Sequence, residues 1–330
     1  MKRSLLVAAL ATLSAGAALA QSSVTVYGRL NETIERQRAK KTTTVKLVDS
    51  SSRIGFKGTE DLGGGMKANF IIEHGFAADT GTASATFWGR QSEVNVGSST
   101  LGTVRLGTFT SDAYYATADY VSMHNHDTGT SADALYAYYG RNRNKIGYAS
   151  PDLGGVTVLT SMSLKEATEA GRRNNYDLAV NYNGGPLQLG FGYEKADFKN
   201  PATGTVGKRD QYGFRALYDL GGIILGGYYQ RSKDNTVDNF AGAPLGTRNA
   251  YRLSAMYVMD ASEFHVNVGR ASDYKKLAKS SATQYTLGYN YNLSKRTKVY
   301  GFYTKVRDPA PTQPYGGTFG SVAAGIRHNF

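Results

Sequence analysis

The chain has 330 residues, a formal net charge of +12, 39 glycines, 24 tyrosines and no cysteine. Without thiols it has no thiolate zinc site, no cysteine nucleophile and no disulfide framework. Its lysines and arginines are scattered singly rather than bunched in a basic arm, which argues against nucleic acid as a partner.

In chain order, residues 1–20 read as a secretion signal. Lys2 and Arg3 form a basic start, Leu5 to Leu13 an apolar stretch, and Ala18-Leu19-Ala20 a small-x-small cleavage site. The mature chain is expected to begin at Gln21, giving one domain, 21–330, with a charge of +10 once Lys2 and Arg3 have left. After Gln21 no apolar run approaches the ~18–20 residues of a membrane helix. From Ser23 to Phe330 one short pattern repeats: about ten residues alternating apolar and polar, then a Gly/Asp/Asn turn. Tyr176-Leu178-Val180-Tyr182, Leu187-Leu189-Phe191-Tyr193, Tyr212-Phe214-Ala216-Tyr218, Tyr285-Leu287-Tyr289-Tyr291 and Ala324-Ile326-His328-Phe330 are clear copies.

A period of two puts each stripe on one face of a strand. A soluble sandwich alternates too, but the length, the secretion signal and the aromatic ends of the stripes favour a barrel with apolar side chains in lipid and polar ones around water. Sixteen strands are predicted, near 23–37, 45–58, 65–77, 85–97, 102–110, 142–150, 155–165, 173–183, 186–196, 209–219, 222–232, 249–258, 262–272, 282–292, 297–306 and 318–330. Short turns alternate with long loops. Asp-x-Gly-Gly recurs at 61, 152 and 219, supplying residues that tolerate positive φ. The longest insertion, 111–141, comes after the fifth strand and is too long for a plain hairpin, which marks it as functional. It carries Asp112, Asp119, Asp127 and Asp133 with six tyrosines, and either lids the barrel or folds into it.

Parity sorts the charges. With Ile54 and Phe56 outward, Arg53 and Lys57 face the lumen; likewise Arg105 between Val104 and Leu106, Arg143 and Lys145 beside Ile146 and Tyr148, and Arg29 on the first strand. On the fourth strand alternation ties the faces together: if Arg90 faces inward, Glu93 and Asn95 face outward, as a polar subunit interface would require. Glu73 is a wall carboxylate able to pair with these cations. His124-Asn125-His126-Asp127 has the donors for zinc or copper, but a polar loop gathers such residues without a metal, and none is assigned. His328 has no serine-bearing motif as a partner, so no catalytic constellation is read.

The whole chain resembles the general-diffusion porins of Gram-negative bacteria, of the beta-proteobacterial type. The carriers are Ser23-Val24-Thr25-Val26-Tyr27-Gly28, the run Ser52-Arg53-Ile54-Gly55-Phe56-Lys57-Gly58-Thr59-Glu60-Asp61-Leu62-Gly63-Gly64-Gly65, Gly89-Arg90-Gln91, Leu101-Gly102-Thr103-Val104-Arg105-Leu106-Gly107, Asn144-Lys145-Ile146-Gly147-Tyr148-Ala149-Ser150-Pro151 and Gly325-Ile326-Arg327-His328-Asn329-Phe330. The resemblance implies an all-β, 16-stranded antiparallel transmembrane barrel in the outer membrane, assembled as a homotrimer among lipid and lipopolysaccharide. It implies an inward-folded third loop, an inward Arg90, and a terminal aromatic, Phe330, read by the barrel-insertion machinery. Thr108 stands where the family often has an arginine, and the third loop departs from its acidic, proline-containing pattern.

The expected function is passive diffusion of small hydrophilic solutes and anions, without cofactor. Arg53, Arg90, Arg105 and Arg143 would form a basic wall opposite Asp112, Asp119 and Asp127 of the loop. A substrate-selective channel for organic acids or phosphate, and a plugged receptor or adhesion barrel, are the alternatives.

Overall fold

The computed structural model describes residues 23–39, 41–119, 121–124, 135–140, 142–166, 170–237, 239, 241–308 and 317–330. The leader 1–20 and Asp127 lie outside these residues.

The strands are β1 (Ser23–Ala39), β2 (Thr42–Asp49, continuing as Arg53–Gly63), β3 (Met66–Ala77), β4 (Gln91–Ser98), β5 (Gly102–Thr108), β6 (Lys145–Ala149), β7 (Val156–Ser163), β8 (Asn175–Gly184), β9 (Leu187–Lys195), β10 (Arg209–Asp219), β11 (Ile223–Asp234), β12 (Gly246–Met259), β13 (Ser262–Ala271), β14 (Ala282–Asn292), β15 (Thr297–Asp308) and β16 (Gly317–Asn329). Each pairs antiparallel with the next, and β16 returns to β1 through Arg29↔Asn329 to Ala39↔Phe319. The result is a closed 16-stranded barrel, in which every strand has a neighbour on both sides and no backbone edge is left to lipid. No helix among the described residues is long and apolar enough to cross a membrane. The last residue completes the seam: Gly28 and Phe330 exchange backbone hydrogen bonds at 3.1 and 3.2 Å.

The distribution of polarity is the reverse of a soluble core. Leu253 is 70 % exposed while its neighbour Arg252 is 2 % exposed. Val24, Leu30, Ile34, Leu287, Val322 and Ile326 are exposed, whereas Asn31, Thr33, Glu35, Gln284, Thr286 and Asn290 are buried. Apolar side chains project outward at every second position, which is stable only if hydrocarbon covers them.

The repeated turn motif works as its residues require. Asp61, Asp152 and Asp219 each accept a hydrogen bond from a glycine amide two or three residues on, at 2.8, 2.6 and 2.8 Å. Those glycines hold positive φ, such as 79° at Gly63 and 81° at Gly221, where a side chain would be strained.

Two details differ from the expected strands. The second is broken at 50–52, where Ser51 takes a φ of 64° and the two segments separately pair with β1. The fourth starts at Gln91 rather than near 85, because 84–90 forms an irregular run after the two-residue ladder Phe76↔Ala83, Ala77↔Thr82.

Candidate functional site: the third loop and the charged inner wall

The described residues of the segment between β5 and β6 pack against the inner wall of the barrel. Among its described residues the helix α1 (Asp112–Thr117) is capped by the Ser111 hydroxyl, which accepts from the Tyr114 amide at 3.1 Å. The wall supplies the rest of the cap. Asp177 on β8 accepts from the amides of Asp112 and Ala113, both at 2.9 Å, where a carboxylate meets the unpaired N–H groups of a helix start. The helix lies against β9 because Gly190 and Gly192 face inward there. A Cβ on Gly190 would overlap the Ala116 carbonyl oxygen, and one on Gly192 would come within 2.6 Å of the Ala113 oxygen.

Three further seats hold the loop. Gln230 exchanges two hydrogen bonds with the Ala137 backbone at 2.9 and 2.8 Å. Glu194 accepts from the Tyr139 amide at 3.1 Å. At the tip, Ser254 donates to the Val121 oxygen and Asn267 to the Ser122 oxygen at 2.8 Å. Next to these two seats His124 is fully buried, its ring edge-on to His265 at 5.0 Å and to Phe302 at 5.8 Å. Burial, with smaller contributions from His265 and Lys298, depresses the His124 imidazole to about 3. Metal-capable groups of three or more His, Cys, Asp or Glu are absent among the described residues, and His126 lies outside them.

The wall cations fall into two groups rather than one patch. Arg53 on β2 and Arg90, just before β4, converge on Glu73 of β3, at 3.7 and 2.6 Å. Arg90 is the more open to water, with 36 % of its side chain exposed against 18 % for Arg53. On the loop, Tyr115 lies within electrostatic reach of Arg90, Glu73 and Asp119. Arg105 belongs elsewhere: it grips Glu93 through two contacts at 2.9 and 3.0 Å and Asp112 of α1 at 2.8 Å. Burial pushes the Asp112 carboxyl up, and Arg105 pulls it back.

Glu93 and Asn95 therefore point inward, correcting the expected outward placement. Arg90 lies outside β4, so the strand's alternation begins only at Gln91 and does not carry back to it. Arg143 is likewise separated from β6: Asn144 takes a φ of 56°, and the Arg143 side chain is exposed. Lys145 is the buried cation of that strand, 3.4 Å from Asp177. Both Arg105 and Lys145 stack over Phe109, at 4.0 and 4.3 Å from its centroid. Of the other expected lumen residues, Arg29 donates to Asn329 at 3.1 Å, and the Lys57 ammonium sits 5.3 Å from the Tyr27 ring. Asp119 is buried in the loop just after α1. Sequence reading missed Asp177, Glu194, Gln230, Ser254 and Asn267. Parity places all five inside, but nothing local distinguishes a side chain that seats a loop from one that meets water.

A family model for Gram-negative porins matches residues 6–310. The chain belongs to that family. An outer membrane porin, protein 32 of Delftia acidovorans, is 33% identical over the full length of both chains. A second outer membrane porin, from Bordetella pertussis, is 26% identical, again over both full lengths. Among solved structures, the anion-selective porin from Comamonas acidovorans superposes with a TM-score of 0.79 at 26% identity, covering 94% of this porin and 100% of that chain. The Salmonella typhi OmpF structure shares the fold at 15% identity and a TM-score of 0.75, over 93% and 97% of the two chains. A Vibrio cholerae OmpT structure, 18% identical and described as a trimer form, has a TM-score of 0.68, over 94% and 99%. This porin is an outer-membrane barrel of the Gram-negative type, and its relatives are channels.

Proposed function

We propose that this porin passes small hydrophilic solutes by passive diffusion and favours anions. The observation that carries this reading is the Arg53–Glu73–Arg90 cluster, partly open to water on the inner wall, with Arg90 and Glu73 within electrostatic reach of Tyr115 on the inserted loop. Two guanidinium groups around one carboxylate attract a passing anion and repel a cation. Unit charges 4 Å apart interact by about 4 kcal/mol at an effective dielectric of ~20, and ~1.4 kcal/mol is a tenfold preference. Screening over ~8–10 Å leaves the narrow part of the pore as the place where wall charge counts. The positive formal charge and the anion-selective relative from Comamonas support the same direction.

Arg105 and Lys145 have a different part in this reading: they hold the loop at the wall. The protein is further read as a homotrimer with a cleaved 1–20 leader, a single 21–330 barrel domain and Phe330 as its assembly signal. Its surroundings are outer-membrane lipid and lipopolysaccharide.

Charge reversal tests the filter. An Arg53→Glu, Arg90→Glu double variant in planar bilayers under a KCl gradient should move the zero-current potential toward that of potassium. A potential that stays at the wild-type value removes these residues from the selectivity mechanism.

A further inference from the structure

Two groups of tyrosines stand on the water side of the barrel, away from the lipid-facing stripes, and both border the Arg53–Glu73–Arg90 cluster. The wall supplies Tyr27 on β1. In the ladder with β2 it stands opposite Gly55, and a Cβ on that glycine would come within 2.5 Å of the tyrosine ring. The missing side chain lets the ring lie against the wall. Its hydroxyl donates to the Glu73 carboxylate, beside Arg53 and Arg90, and the Lys57 ammonium sits 5.3 Å from its centroid.

The loop supplies the second group. The α1 helix turns its Ala113 and Ala116 carbonyls toward the wall glycines, which leaves Tyr115 on the side away from the wall, 46 % exposed. The Tyr114 ring lies 5.8 Å from Tyr115 and 5.2 Å from Tyr138, itself 41 % exposed. Tyr138 is held by its hydroxyl, which donates to Asn142 at 2.6 Å and accepts from the Ser111 amide at 3.5 Å. A tyrosine that only packs a loop hides its ring, whereas these two keep much of theirs in water. Tyr115 reaches Arg90 and Glu73 electrostatically from the loop side, and Tyr27 touches the same cluster from the wall side.

Arg90 meets Glu73 through its Nε, so the two Nη groups of this half-open side chain can turn to a solute. A planar guanidinium matches a carboxylate through paired N–H donors. Tyrosine rings beside it offer π faces to a second ring. An inorganic anion uses only the first of these features, while a molecule with an aromatic ring and a carboxylate uses both. We propose that the lumen holds a binding subsite for aromatic carboxylates of the benzoate class, the carboxylate on Arg90 and Arg53 and the ring against Tyr115 and Tyr27. This subsite rests on the anion-favouring lumen and adds to it a choice among anions. Its grip stays weak enough for release, as conduction requires.

The test is block of chloride current in planar bilayers at pH 7.5, with sodium benzoate titrated against sodium cyclohexanecarboxylate. The two anions share charge and near-equal size and differ in the π face. Benzoate should reduce the current saturably, with a half-blocking concentration about fivefold lower than that of cyclohexanecarboxylate, the size of one aromatic pairing. Tyr115→Leu and Tyr27→Leu should each bring that ratio toward one, and Tyr115→Phe, which keeps the ring, should retain it. Arg90→Gln should raise both half-blocking concentrations together. Each ratio is taken within one channel, so a change in conductance caused by the substitution cancels. An unchanged ratio in both leucine variants, or loss of the ratio in Tyr115→Phe as in Tyr115→Leu, overturns the proposal. A wild type that prefers chloride but shows a ratio near one overturns the subsite and leaves the anion channel standing. A wild-type zero-current potential on the potassium side fails the underlying anion preference and the subsite with it.

Discussion

Acidification should loosen the loop tip through His124. The docked imidazole is neutral, because burial holds it near 3, with His265 and Lys298 adding to the depression, Glu263 partly opposing it and Arg327 reinforcing it. An undocked tip would titrate near the ordinary value of ~6.5. The docked state therefore binds fewer protons than the undocked one, and its relative stability is complete above pH 6.5 and falls as pH drops from there toward 3. At pH 4.5, two units below the free value, the shift amounts to about 3 kcal/mol at ~1.4 kcal/mol per unit. The tip's two wall hydrogen bonds, from Ser254 and Asn267, contribute about 1 kcal/mol each. Protonation is thus comparable with what holds the tip, and undocking becomes a visited state. The α1 seat at Asp177 and the Gln230 seat do not depend on this imidazole, so the loop's root stays in place. Single-channel recording at pH 7.5, 6.0 and 4.5 should show current noise and substates appearing in wild type below pH 6.5. A His124→Gln variant, unable to take the proton, should stay quiet across the range. Identical pH responses in the two proteins, or a silent wild type at pH 4.5, would refute the reasoning.

The loop's seating sets three further outcomes. Gly190→Leu places a side chain where the Ala116 oxygen lies and should displace α1 at an overpacking cost of ~1–3 kcal/mol; the readouts are an altered conductance and faster proteolysis within 111–141. Asp177→Asn removes the partner of buried Lys145 and a charged cap on α1, for a loss of about 3 kcal/mol measured as a lower thermal unfolding midpoint. Glu93→Gln deletes a buried negative charge beside Arg105 while Asp112 still holds that guanidinium, so the zero-current potential in a KCl gradient should move further toward chloride with conductance retained.

The barrel was legible because a membrane strand carries its own address. Alternation over about ten residues names the face of each side chain, and Asp-x-Gly-Gly marks where the chain turns. Tyr285, Leu287, Tyr289 and Tyr291 all project outward as their spacing requires. The inner wall was legible only where a strand is regular. Parity turns Arg53, Arg105 and Lys145 toward the side where Glu73, Glu93 and Asp177 meet them, whereas Glu93 was turned the wrong way because an irregular run precedes Gln91. Parity also cannot pair charges across strands. Arg105 seemed part of a common patch with Arg53, yet Glu93 and Asp112 claim it, leaving Glu73 to the other two. The loop's path was least visible, since its seats at Gly190, Gly192, Asp177 and Asn267 are single inward positions on different strands. What joins them is the packing of residues 111–119, 121–124 and 135–140 against the wall, a tertiary fact with no local signature.

The sign of the wild-type zero-current potential in a tenfold KCl gradient bears most directly on the whole reading. A water-filled barrel governed by Arg53 and Arg90 gives ohmic channels with the potential displaced toward the chloride equilibrium value. Displacement toward the potassium value, or no current at all, contradicts it.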